Sequence, residues 1–223
     1  MKYLNVNTNG NRKLQNTDKI RFMIWNLPAV KTCPFRTEMC EKSCYARKAE
    51  RVYPQVLPSR ERNYADSLEN DFVENMIFTI EKELAKKKYD NKLCVFRIHE
   101  SGDFYNLEYT QKWIDVCKHF ENDKRIKFLA YTKSIIYFIN CGYGLTNFPK
   151  NLVVRSSLWK DTAADKIALT DCYNIPIYTA LTDYEMIEEK KNGRMFRVCK
   201  CDDCANCRMC WNGTIKDIIC KIH

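Results

Sequence analysis

The chain has 223 residues, of which 45% are hydrophobic and few are Gly or Pro, which is enough for one globular domain with an ample core. Its longest apolar run, Ile135 to Ile139, falls far short of the roughly 20 residues of a membrane helix, and neither an internal repeat nor a low-complexity tract is present. The net charge of +9 suggests an anionic partner, nucleic acid included, although anionic thiolate ligands would absorb part of it locally.

Residues 1–19 are polar and rich in Asn, which predicts a loosely ordered arm or short hairpin. The opening MKYLNVNTNG has no basic-then-apolar leader, so a cytoplasmic protein is expected. Ile20 to Trp25 (IRFMIW) reads as a strand closed by Pro28. A loop with Cys33, Cys40 and Cys44 follows, where Pro34, Arg36, Glu38, Glu41 and Lys42 exclude a buried strand. Two helices are predicted over 59–88, with Leu68, Phe72, Val73, Met76, Ile77, Ile80 and Leu84 as one apolar stripe and Lys86 to Lys88 as a solvated end.

Leu93 to Ile98 (LCVFRI) has the continuous apolar character of a buried parallel strand and emerges into HESGDFYN. Asn106 is placed to cap the next helix, whose Tyr109, Trp113, Val116, Cys117 and Phe120 form a core stripe that leaves His119 in solvent. Ile126 to Tyr131 is the next strand and leads through Thr132, Lys133 and Ser134 into a short helix. Leu152 to Arg155 and Pro176 to Ala180 repeat the pattern. Strands alternating with helices predict an α/β fold: a partial or closed (β/α) barrel of about six parallel strands over residues 1–195, carrying a cysteine-rich segment at 196–223.

In such a barrel the loops after the strands build the active face. His99, Tyr131, Lys133, Arg155, Ser156 and Thr179 are expected on that rim. Of the groups there, His99, Asp103, Lys133 and Arg155 are candidates to position a substrate or exchange protons. His99 also reads as a core histidine, and Gly102 with Asp103 as a turn.

Eight of the thirteen cysteines lie in two short segments, Cys33, Cys40 and Cys44 in the first and Cys199, Cys201, Cys204, Cys207 and Cys210 in the second. Without a secretory leader, and with an odd total, a metal or catalytic role outweighs a disulfide framework. The unbroken three-residue steps from Cys201 to Cys210 are nearer the ferredoxin pattern than the paired knuckles of zinc. An iron–sulfur cluster, 4Fe–4S above all, is therefore expected, as one cluster or two, with zinc as the alternative. Cys94, Cys117, Cys141, Cys172 and Cys220 sit in apolar surroundings and read as small core hydrophobes.

Four ordered motifs, CPFRTEMCEKSCYA, RIHESGDFY, FLAYTKS and CANCRMCW, resemble the phage "gene product 88" family over nearly the whole chain. The resemblance implies a relative of radical S-adenosylmethionine proteins with a partial (β/α) barrel, acting in the cytoplasm of an infected host. It implies that Cys33, Cys40 and Cys44 occupy the cluster loop, that Cys199, Cys204, Cys207 and Cys210 form the C-terminal cysteine group, and that Cys201 is an extra. The spacing C-x6-C-x3-C departs from the usual C-x3-C-x2-C, and HESGDF stands where a glycine-rich motif for S-adenosylmethionine would be expected. These readings lead to an iron–sulfur protein, a redox or radical-type enzyme on an unknown substrate. The alternative is a nucleic-acid-binding protein with a structural metal.

Overall fold

The computed structural model describes residues 1–8, 13–144, 146–199, 203–213 and 217–221. Its elements are β1 (Ile20–Trp25), α1 (Glu38–Lys42), α2 (Tyr45–Val52), α3 (Val56–Leu68), α4 (Phe72–Leu84), β2 (Leu93–Ile98), α5 (Leu107–His119), β3 (Ile126–Thr132) and α6 (Ile135–Asn140). They continue with β4 (Leu152–Leu158), α7 (Ala164–Cys172), β5 (Ile177–Leu181), α8 (Asp183–Lys191), β6 (Arg197–Cys199), α9 (Cys204–Cys207) and β7 (Asp217–Lys221).

The strands form one 7-stranded sheet in the order β1-β2-β3-β4-β5-β7-β6. All of its pairings are parallel. It is a curled half-barrel with β1 and β6 at its edges. About six strands are predicted from the alternation. The difference lies in β6 and β7, which come from the cysteine-rich stretch and are too short for a period-2 signal. β7 inserts between β5 and β6, so the C-terminal segment is part of the sheet itself.

Alternation along the strands separates two faces. Met23, Trp25, Cys94, Phe96, Ile98, Phe128 and Val154 pack against Phe72, Met76 and Ile80 of α4 and Tyr109, Trp113 and Val116 of α5. This is an α/β layer whose helices bury one apolar stripe each. The opposite face, with Ile20, Phe22, Val95 and Leu129, is covered by Ala205 and Trp211, with Cys204 and Cys210 packed against the same cluster. The cysteine-rich segment thus takes the place that a second helical layer would fill.

Two expectations fail on packing grounds. Leu68 ends α3 and is 51% exposed, because the chain turns there before the stripe of α4 begins. The first residues are not a loose arm: Leu4 is buried in the main core, and Asn7 forms an antiparallel bridge with Ile24. Below the sheet, Arg21 is fully buried and reaches α4, donating to the Glu83 carbonyl (2.7 Å) and to its carboxylate (2.8 Å), with Tyr89 stacked 3.7 Å from its guanidinium.

Candidate functional site

The loops after β1 and β2 are sewn together. Asn26 Oδ1 accepts from the amides of Glu100 (2.8 Å) and Ser101 (3.0 Å). The Leu27 amide donates to Ser101 O (3.0 Å) while Ser101 Oγ donates to Leu27 O (2.8 Å), and the Asp103 amide donates to Thr32 O (3.2 Å). Gly102 is required at the crossing: its φ is +81°, and a Cβ there would stand 2.6 Å from both Leu27 Cβ and Thr32 Oγ1. This seam brings Cys33 beside Asp103.

The first cysteine segment is more ordered than the predicted loop. Cys33 lies in a turn, Cys40 lies in α1 and Cys44 is the residue before α2. Thr37 starts α1 by accepting from the Cys40 amide (3.2 Å), and the charges at Glu38 and Lys42 that exclude a strand mark the ends of this short helix. Cys33 is close enough to Asp103, Cys40 and Cys44 to feel their charges. Burial, reinforced by those neighbours, pushes its thiol up to about 12.

Asp103 is buried, and accepts from Thr132 Oγ1 (2.6 Å), the Phe104 amide (2.8 Å) and the Lys133 amide (2.9 Å). Burial raises its pKa against these bonds. Lys133 is half-buried at the end of β3, with its amine donating to Ser157 Oγ (3.1 Å) and lying 5.8 Å from the Trp159 ring. Asp103 and Lys133 therefore share one corner of the rim.

His99 and Arg155 do not join them. His99 is 2% exposed, at φ +64°, with its ring between Phe104 (4.7 Å) and Tyr109 (5.7 Å) and its Nε2 2.9 Å from the Tyr109 hydroxyl. Burial first, and the charge of Arg97 second, lower its pKa to about 3. Arg155 points from mid-β4 to the face opposite α4 and α5, where its Nε donates to Cys210 O (2.8 Å) and a terminal nitrogen donates to Met209 O (3.2 Å). Ser156 and Thr179 are also turned inward, bonded to Thr170 and to Leu158 O.

The C-terminal thiols gather on the face that Arg155 holds. Cys199 and Cys220 are register partners on neighbouring strands, and Cys204 and Cys210 pack onto the same apolar cluster. Burial raises Cys204 to about 11, with the charges of Cys210, Cys199 and Cys207 acting in the same direction. Cys210 is raised by burial, while the Tyr131 hydroxyl that donates to it and the cations Arg155 and Arg97 hold it down. Tyr178 plays the same part for Cys220, and the two tyrosine rings meet edge to face at 4.5 Å. Cys201 lies outside the described residues.

Reading Cys220 as core hydrophobe missed its place: it belongs to this thiol group. No sequence signal marks it, because Ile218 and Ile219 are buried side by side in a five-residue strand. Cys172 is exposed, and Cys94 and Cys117 are core as predicted. Tyr178, Ser157 and Lys166 also line these two regions without a sequence motif to mark them, and Arg97, the first residue of RIHESGDFY, joins them.

Among the described residues, no three Cys, His, Asp or Glu side chains already surround one metal-binding point. The thiols are neighbours rather than a closed cage. As a donor set they are all sulfur and half-buried, the chemistry a soft metal or cluster takes, and at Cys210 and Cys220 hydroxyl donors and cations oppose the burial that raises the thiols. Among the described residues no helix is long and apolar enough to cross a membrane.

Comparison with known proteins agrees with the motifs. The chain is 32% identical over 108 residues to the Gene 88 protein of Mycobacterium phage D29, covering 46% of this chain and 42% of that one. It is 29% identical over 108 residues to the Gene 88 protein of Mycobacterium phage L5, covering 46% and 43%. The match thus spans less than half the length of these curated relatives. No solved structure matches. The sequence profile described as Gene product 88 matches residues 3–213, and the chain belongs to the Gene product 88 family.

Proposed function

We propose that this chain is an iron–sulfur protein, with Cys33, Cys40 and Cys44 holding a cluster at the rim of the half-barrel and the C-terminal thiols holding a second metal group on the sheet. The observation that carries the reading is the approach of Asp103, Cys40 and Cys44 to Cys33 at the end of parallel strands, where α/β folds bind ligands. A cluster held by Cys33, Cys40 and Cys44 would supply single-electron chemistry to a bound substrate. The reading extends to a redox or radical-type enzyme related to the S-adenosylmethionine barrels.

In that enzyme the protein's own groups divide the work. Lys133 faces the rim and holds a substrate anion. Asp103 fixes the turn that presents Lys133, through the Lys133 amide and Thr132. His99, neutral and enclosed, supports the loop and exchanges no proton near neutral pH. Arg155 tethers the C-terminal segment.

The test is anaerobic purification followed by iron, sulfide and zinc analysis and an absorption spectrum. Iron and sulfide in equal numbers with a broad band near ~400 nm supports the proposal. Zinc at about one per chain, without colour, removes it and favours a structural metal in a nucleic-acid-binding protein.

A further inference from the structure

Beside the rim cysteines lies a small solvent-open cleft of about 10 Å³, lined by Phe35 and Thr37 of the cysteine loop, Lys133, Ser156, Ser157, Thr162 and Lys166. Its two walls are clasped: the Met39 amide in α1 donates to the Asp161 carboxylate (2.8 Å) on the far side. Both lysines are half-buried, and neither makes an ion pair within 4.0 Å among the described residues. The Lys133 amine has the Ser157 hydroxyl (3.1 Å), and the Lys166 amine lies 4.2 Å from the Phe35 ring.

The two amines are near enough to repel. Burial is the larger cause lowering the Lys166 pKa and Lys133 adds to it, against the opposing charges of Asp165 and Asp103. Asp165 and Asp103 thus act on Lys166, and Asp161 acts on Lys133 while its carboxylate accepts from the Met39 amide; Asp103 is buried under three hydrogen bonds. Two half-buried lysines lining one cleft with hydroxyl side chains, at the carboxyl ends of parallel strands, suit a compact oxyanion. α7 also begins at this wall with no side-chain cap at Ala163.

We propose that this cleft, through Lys133, Lys166 and Ser157, binds the phosphate group of a small phosphorylated substrate beside the rim cysteines. Phosphate is favoured over carboxylate because ammonium point charges and hydroxyl donors suit a tetrahedral anion, whereas carboxylate is better matched by an arginine fork. The assignment deepens the iron–sulfur reading and rests on it only for calling the anion a substrate. Binding itself needs no metal.

The test is titration calorimetry of the purified protein with inorganic phosphate, pyrophosphate and acetate, on wild type, Lys133→Gln, Lys166→Gln and Lys166→Arg. Iron and sulfide counts on each sample score the cluster reading separately. Saturable phosphate or pyrophosphate binding, weakened about tenfold or more by either Gln variant and kept within a few-fold by Lys166→Arg, is the expected result. Acetate binding tighter than phosphate overturns the phosphate assignment. No saturable binding up to about 10 mM, or binding indifferent to both Gln variants, overturns the site.

Discussion

The guanidinium of Arg97 lies 3.7 Å above the ring of Tyr131, and the Tyr131 hydroxyl in turn donates to the thiol of Cys210. Arg97 also donates to the carbonyl of His99 (2.9 Å), so one side chain links the loop after β2 to the C-terminal thiols. A cation stacked on a phenol makes the phenol a better hydrogen-bond donor, and a donated bond favours thiolate. Tyr131→Phe keeps the ring and loses the bond. The substitution should lower metal affinity of the C-terminal group by about 10- to 100-fold in chelator competition. Unchanged affinity would remove Tyr131 from the site.

Gly102 is the crossing point of the two rim loops. Gly102→Ala must adopt a left-handed φ and push into Leu27 and Thr32, both 2.6 Å from the added carbon. The expected loss is about 3 kcal/mol or more in urea unfolding. A loss under roughly 1 kcal/mol would mean that the seam yields easily and does not set the position of Cys33.

His99 provides an acid-limb test. Its pKa is about 3 in the fold against 6.5 for a free imidazole. Between these values the unfolded chain binds the proton and the folded chain does not. Its contribution is therefore complete above pH 6.5 and declines on acidification toward pH 3, by about 1.4 kcal/mol per unit. From pH 6.5 to pH 5, wild type should lose about 2 kcal/mol more stability than His99→Gln. Parallel stability curves would show that the ring is solvated or charged.

The Arg21–Glu83 pair joins β1 to the end of α4 with both side chains almost fully enclosed. Removing one partner leaves a buried charge, so Glu83→Ala should cost about 3–5 kcal/mol, read as a fall in urea midpoint. Replacing both partners with apolar residues, Arg21→Met with Glu83→Leu, should recover much of that. If the double variant is as unstable as the sum of its singles, the two side chains do not act as a coupled pair.

Much of the framework could be read from the residues, for reasons visible in particular elements. IRFMIW and LCVFRI are six-residue apolar runs and coincide with β1 and β2, because a parallel strand buried on both faces shows little else. The helix after Asn106 was legible through both its cap, which accepts from the Tyr109 amide, and its stripe. β6 and β7 were not, since three and five residues among polar and cysteine positions carry too few periods. Sidedness was lost for the same physical reason: LVVR is apolar on both faces, so nothing local says that Arg155 turns toward the thiols. His99 reads as a rim group until its positive φ folds the ring back between Phe104 and Tyr109. Lys166 lies in a nine-residue helix with no carried motif, and only its approach to Lys133 and Phe35 singles it out.

The most direct test of the central claim is the iron and sulfide count of Cys33→Ala set against Cys210→Ala, each purified without oxygen and reconstituted in the same way as wild type. In the proposed arrangement the rim thiols and the C-terminal thiols hold separate groups, so each variant should lose only its own share and retain the other, with the band near ~400 nm reduced but present. If neither variant loses iron, or if wild type takes up none, the account of this chain as an iron–sulfur protein is contradicted.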